Sequence, residues 1–80
     1  MKKTTHHLLA VLSFGRHATE RMIAQEREEL GQRLHAYLDP SCLLTIKRRK
    51  IYVEIMGQFS DDELNHKACG VLRVWEGEAA

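Results

Sequence analysis

Apolar and polar positions along the chain fall into five segments with different periods. Residues 7–14 read His-Leu-Leu-Ala-Val-Leu-Ser-Phe. At a period of two, Leu8, Ala10, Leu12 and Phe14 share one face and Leu9 and Val11 the other, which predicts a strand covered on one side and sheltered on the other. Gly15-Arg16-His17 breaks the pattern as a short loop. Over residues 18–38 the period lengthens: Ile23, Leu30, Leu34, Tyr37 and Leu38 recur at helical spacing. Glu20, Arg21, Glu26, Arg27, Glu28, Glu29 and Arg33 supply the polar side, with Glu29 and Arg33 in supporting i,i+4 register. Asp39-Pro40 ends this helix, because the residue before a proline avoids the helical region.

Residues 42–47 and 51–56 return to alternation. Leu44 and Ile46 alternate with Thr45 and Lys47; Ile51, Val53 and Ile55 alternate with Tyr52, Glu54 and Met56. Arg48-Arg49-Lys50 joins them. A hairpin is expected, but no glycine or asparagine announces its turn type. Ser60-Asp61-Asp62-Glu63 is a capping box opening the last helix, with Phe59 and Leu64 placed as a hydrophobic staple. Leu64, Ala68, Val71, Leu72 and Trp75 form its apolar stripe. Gly70 weakens the helix by about 1 kcal/mol relative to alanine, and Gly77 is positioned to stop it.

The expected fold is α+β in the order β-α-β-β-α: a three-stranded sheet with two helices on one face, joined by a right-handed crossover and a hairpin. The expected core is Leu12, Ile23, Leu30, Leu34, Leu44, Ile46, Val53, Ile55, Leu64, Val71 and Leu72. At 80 residues, the chain reads as a single small domain over 1–80. A chain this short buries only about 60–65% of its unfolded surface, so a large active-site cleft is not expected. Net charge of +1 and 44% apolar residues exclude a disordered chain.

The longest apolar run, Leu8 to Leu12, is too short to span a bilayer, and it lacks the cleavage site of a signal peptide. Cys42 and Cys69 are too few for a disulfide scaffold and fit buried thiols in a reducing cytoplasm. No nucleophile motif, phosphate-cradling glycine loop or paired zinc-ligand spacing occurs. His66 and Cys69 lie three apart, yet Cys69 borders the apolar stripe and reads as a packed thiol. The expectation is a non-enzymatic protein with no catalytic residues, cofactor or metal.

Charge alters that picture. Residues 41–60 carry Lys47, Arg48, Arg49 and Lys50 against Glu54, a net of +3. Residues 61–80 carry Asp61, Asp62, Glu63, Glu76 and Glu78 against Lys67 and Arg73, a net of −3. A basic tip and an acidic helix suit binding to a charged partner. A solvated, edge-protecting turn and acids that complement a helix N-terminus account for the same charges. Tyr52 is the only aromatic near the tip, so a base-stacking platform is poorly supported.

Several local strings resemble the DinI family of small damage-inducible bacterial proteins. Glu29-Leu30-x-x-Arg33-Leu34 followed by Asp39-Pro40 is similar to the end of that family's first helix. Leu44-Thr45-Ile46-Lys47 and Val53-Glu54-Ile55-Met56-Gly57 resemble its second and third strands, and Val71-Leu72 with Trp75-Glu76 the close of its last helix. The similarity runs over residues 29–76. It implies the same β-α-β-β-α order and a cytoplasmic partner, the RecA recombinase filament, whose SOS functions the family modulates through acidic residues of the last helix. Carried to this chain, the partner-binding candidates are Asp61, Asp62, Glu63, Glu76 and Glu78. Capping claims on residues 61–63 favour Glu76 and Glu78 among them. The chain departs from the family in its basic tip, in Lys67 and Arg73 among the helix acids, and in lacking a proline- and glycine-containing lead into the first helix; these departures fit a phage or plasmid relative with a changed partner. The alternative is a small nucleic-acid-binding regulator using Lys47, Arg48, Arg49 and Lys50.

Overall fold

The computed structural model of the chain describes residues 5–38 and 40–77. Its elements are β1 (His6–Ser13), α1 (Glu20–Tyr37), β2 (Cys42–Lys47), β3 (Lys50–Met56) and α2 (Asp61–Trp75). The order is the expected β-α-β-β-α. α1 ends at Tyr37 with Leu38 as its C-cap, just ahead of Asp39, which lies outside the described residues. The sheet order is β1-β3-β2, with β3 antiparallel to both neighbours. β1 and β2 therefore run the same way with β3 between them. No helix is long and apolar enough to cross a membrane among the described residues.

One face of the sheet packs on the helices. Leu9, Leu12, Cys42, Leu44, Ile51, Val53 and Ile55 join Ile23, Leu30 and Leu34 of α1 and Val71 and Val74 of α2 in one core. The other face is open: Leu8, Val11, Leu43 and Met56 are exposed.

The structure corrects the expected pattern in four places. In β1, Leu8 pairs with Glu54 but Ala10 pairs with Val53, so Leu9 is the extra residue of a β-bulge. A bulge shifts side-chain alternation by one, turning Leu9 inward and Leu8 outward. Ile46 has inward parity but stays exposed, because it lies at the hairpin end where only the start of α1 is near. On α2 the buried centre of the stripe is Val71 and Val74, which leaves Leu72 on its exposed flank. Tyr37, in the last turn of α1, is exposed rather than part of that helix's stripe.

Side chains finish the helix and strand ends. Thr19 caps α1 by accepting from the Met22 N–H at 3.2 Å. Arg33 of α1 donates to the Val74 carbonyl at the end of α2, which also accepts from the Gly77 N–H, so the last turn of α2 is tied to α1. Arg27 donates to the Leu44 carbonyl at 2.9 Å, and His35 Nε2 lies 3.5 Å from the Cys42 carbonyl. These two side chains occupy alternate carbonyls of β2, which blunts an edge strand against unwanted pairing. Gly57 has a φ of +142°, and a Cβ there would meet the Phe59 ring at 2.9 Å. Its place at the end of β3 is thus required twice over, by backbone and by space. Gly70 lets Leu38 approach α2 closely, since a Cβ would stand 2.8 Å from Leu38 Cδ1. That contact offsets the helix propensity the glycine gives up.

Candidate functional site

The candidate charged residues among those described lie at two opposite ends of the molecule. At one end β1 finishes, α1 begins and the β2–β3 hairpin turns. Lys47 pairs with Lys50, so the turn is only two residues long, and β3 starts one residue earlier than alternation suggested. Arg48 and Arg49 both have positive φ, +50° and +64°. A two-residue hairpin with both central residues left-handed matches the twist of its strands, and asparagine-glycine is its usual occupant. Each of the two arginines accepts this conformation at a cost of about 1–2 kcal/mol. The backbone is held in return: Phe14 N–H donates to the Arg49 carbonyl at 3.0 Å, and Arg49 Nη1 donates to the Gly15 carbonyl at 3.2 Å. Lys47, Arg48, Arg49 and Lys50 are all exposed. Arg48 and Arg49 also line a surface concavity of about 380 Å³ with Glu20, Ile23 and Ile46.

At the opposite end β3 leads through Gly57 into α2. Ser60 accepts from the Glu63 N–H at 3.2 Å, and Glu63 accepts from the Ser60 N–H at 3.0 Å, which is the reciprocal capping box expected from the sequence. Phe59 and Leu64 are both half-buried against the core, as a staple requires. Phe59 meets the His7 ring edge-on, and Lys67 Nζ sits 5.2 Å from its centroid.

Glu63 is held below the ordinary glutamate range, first by the Ser60 backbone N–H and next by the Ser60 side chain. Partial desolvation opposes the shift, and Lys67 adds a smaller lowering. A carboxyl with a depressed folded-state pKa contributes stability above its unfolded value and loses it as pH falls through the folded value. Urea midpoints should therefore drop on acidification from neutral to about pH 3, and drop less in Glu63→Gln, whose amide can still close the box. Equal pH profiles for the two proteins would contradict this role.

Asp61 and Asp62 stand apart from that network. Both are exposed, and among the described residues their carboxylates make no hydrogen bond or ion pair. Of the three acids at 61–63 on which the sequence pattern places a capping claim, Glu63 alone closes the cap. Glu76 is exposed beyond the last turn of α2. Its neighbour Trp75 packs edge-on against Phe14 at 5.6 Å, which places Glu76 at the hairpin end. A helix of 15 residues separates Asp61 from Glu76 by about 22 Å. The acidic candidates therefore do not form one patch, and Glu78 lies outside the described residues.

His66 and Cys69 are both exposed on α2, which corrects the expectation of Cys69 as a packed thiol. Cys42 is buried, and the two cysteines are not bonded to each other. Among the described residues no three histidine, cysteine or acidic side chains gather where they could hold a metal ion. No protein-family model, curated protein or solved structure matches the chain.

Proposed function

We propose that this chain is a non-catalytic docking protein of the DinI type, acting in the cytoplasm on the RecA filament through Asp61 and Asp62 at the start of α2. The observation that carries this reading is their availability. Two adjacent carboxylates are exposed and unengaged, while the neighbouring Glu63 alone completes the cap. Adjacent carboxylates can take the place of nucleic-acid phosphates in a basic groove, and they steer association at long range. The β-α-β-β-α order agrees with the resemblance carried by residues 29–76. Co-sedimentation of the wild-type protein with assembled RecA filaments tests the reading, and absence from the pellet at low salt would remove it.

A second reading, nucleic-acid binding by the hairpin tip, is favoured by one observation. Arg48 and Arg49 hold a strained left-handed turn that asparagine and glycine would adopt without strain. Strain retained at a position commonly accompanies function. The combined variant Arg48→Asn with Arg49→Gly relieves the strain at both positions but gives up the Arg49–Gly15 hydrogen bond and adds glycine's chain entropy, a net gain of about 1 kcal/mol that should raise Tm by about 4–8 °C. If the tip binds phosphate, the same variant should bind oligonucleotides more weakly, with a log–log salt slope reduced by about 0.7–0.9 for each lost contact. Fluorescence anisotropy reads the second effect and a thermal melt the first. Stabilisation with unchanged or absent oligonucleotide binding leaves the tip a solvated turn.

A further inference from the structure

The open face of the sheet carries an ordered arrangement that neither reading above uses. On this face the rows across the three strands are Leu8–Glu54–Leu43, then Val11–Tyr52–Thr45, then Ser13–Lys50–Lys47. Met56 and His6 form the row beyond Glu54. Leu8 is 57% exposed, Leu43 43%, Met56 41% and Val11 40%. This is the outcome of the β1 bulge: the strand is apolar on both sides, and only one side is covered. Exposed apolar side chains clustered on one face, rimmed by lysines, mark an interaction surface.

We propose that this face pairs with the same face of a second copy, the two sheets stacked with their strands antiparallel about a two-fold axis lying across the strands. Two features of the face select the occupant and its orientation. The first is charge. Along β3 the face reads Lys50, Tyr52, Glu54, Met56. Stacking two copies with parallel strands sets Glu54 against Glu54 and Lys50 against Lys50. Antiparallel stacking about the middle of β3 removes both direct like-charge contacts and sets each Glu54 one row from Lys50 of the other copy, two opposite-charge approaches against a single one between the two Glu54 side chains. It also brings each basic hairpin end toward the other copy's Asp61–Asp62 end, so the overall charge asymmetry becomes attractive. In the isolated chain His6 Nδ1 lies 3.8 Å from Glu54 Oε2.

The second feature is area. Three strands spaced about 4.8 Å apart, over seven residues rising about 3.3 Å each, cover roughly 330 Å² in projection. The pair therefore covers about 660 Å² in projection, to which side-chain relief adds, and this places the face among the weak, concentration-dependent interfaces at or below about 1,200 Å². The helices face outward in such a sandwich, so Asp61, Asp62 and the hairpin tips remain accessible for docking. A two-fold interface uses one patch twice, which this face satisfies with its own complementary charges.

Sedimentation velocity over roughly 1 μM to 1 mM, the range of a modest interface, should show wild-type mass rising to twice that of the monomer. Leu8→Lys should stay monomeric, with a melt that matches wild type at the dilute end of the range, where both are monomers, since its side chain lies outside the core. Glu54→Lys and Lys50→Glu should each be monomeric alone, because each homodimer repeats a like-charge contact twice. An equimolar mixture of these two variants should dimerise, because both contacts then pair opposite charges. A wild-type protein that is monomeric throughout overturns the proposal, as does a dimer indifferent to Leu8→Lys. Failure of the mixture to associate, where wild type does, overturns the antiparallel arrangement. A monomer whose open-face amide signals shift on adding oligonucleotide overturns self-pairing in favour of a nucleic-acid occupant.

Discussion

Leu34→Ala should lower stability by about 2–5 kcal/mol, the range for removing a fully buried leucine side chain. Leu34 has no exposed surface and sits among the residues that α1 shares with the sheet and α2. An 80-residue protein has a total stability of about 4–12 kcal/mol, so much of the population would unfold near physiological temperature. Tm should fall by about 10 °C or more. The informative comparison is Leu72→Ala. Both leucines lie in apolar helical stripes by spacing, yet Leu72 is nearly half exposed and its truncation should cost less than about 1 kcal/mol. Equal losses in the two variants would contradict the core described above.

The double change Asp61→Asn with Asp62→Asn should weaken retention on RecA filaments by about tenfold, corresponding to two exposed charge contacts totalling about 1.4 kcal/mol. Asparagine keeps the size and polarity of these side chains and leaves the Ser60–Glu63 box untouched, so the stability lost is limited to about 0.3–1 kcal/mol for each charge removed from the first turn of α2. Glu76→Lys should matter less, because Glu76 lies at the far end of α2 from the pair. Retention that ignores the double change but falls with Glu76→Lys would move the docking surface to the hairpin end.

Much of this arrangement is legible in the sequence, for identifiable reasons. The capping box of α2 is visible because serine and glutamate three apart act on one another locally. The stop of α1 ahead of Pro40 is equally visible, since backbone restrictions are written in residue type. The bulge at Leu9 is not legible. It depends on the register β1 takes against β3, a long-range property, and without it Leu8 and Leu9 exchange faces. The two-residue turn at Arg48-Arg49 is hidden because its residues are unusual for its geometry; only the closing pair Lys47–Lys50 reveals it. The cap at Thr19 has a visible signal, a threonine just before the first helical turn, but no glutamate three positions on to complete a box. The candidate site is legible as a set of charges but not as a place. Sequence proximity on one helix suggests a single acidic surface, whereas about 22 Å of helix divides it. Which carboxylates serve the cap is decided by hydrogen-bond geometry, and that moves the emphasis from Glu76 and Glu78 to Asp61 and Asp62.

The central claim is that the chain works by presenting fixed charge to a macromolecular partner. Its most direct test is co-sedimentation of the wild-type protein with preassembled RecA filaments across a salt series. Filament-bound protein at low salt, released progressively as salt screens the exposed carboxylates, is the result expected. Protein that stays in the supernatant at every salt concentration, with its fold intact by thermal melt, would contradict the assignment of this partner.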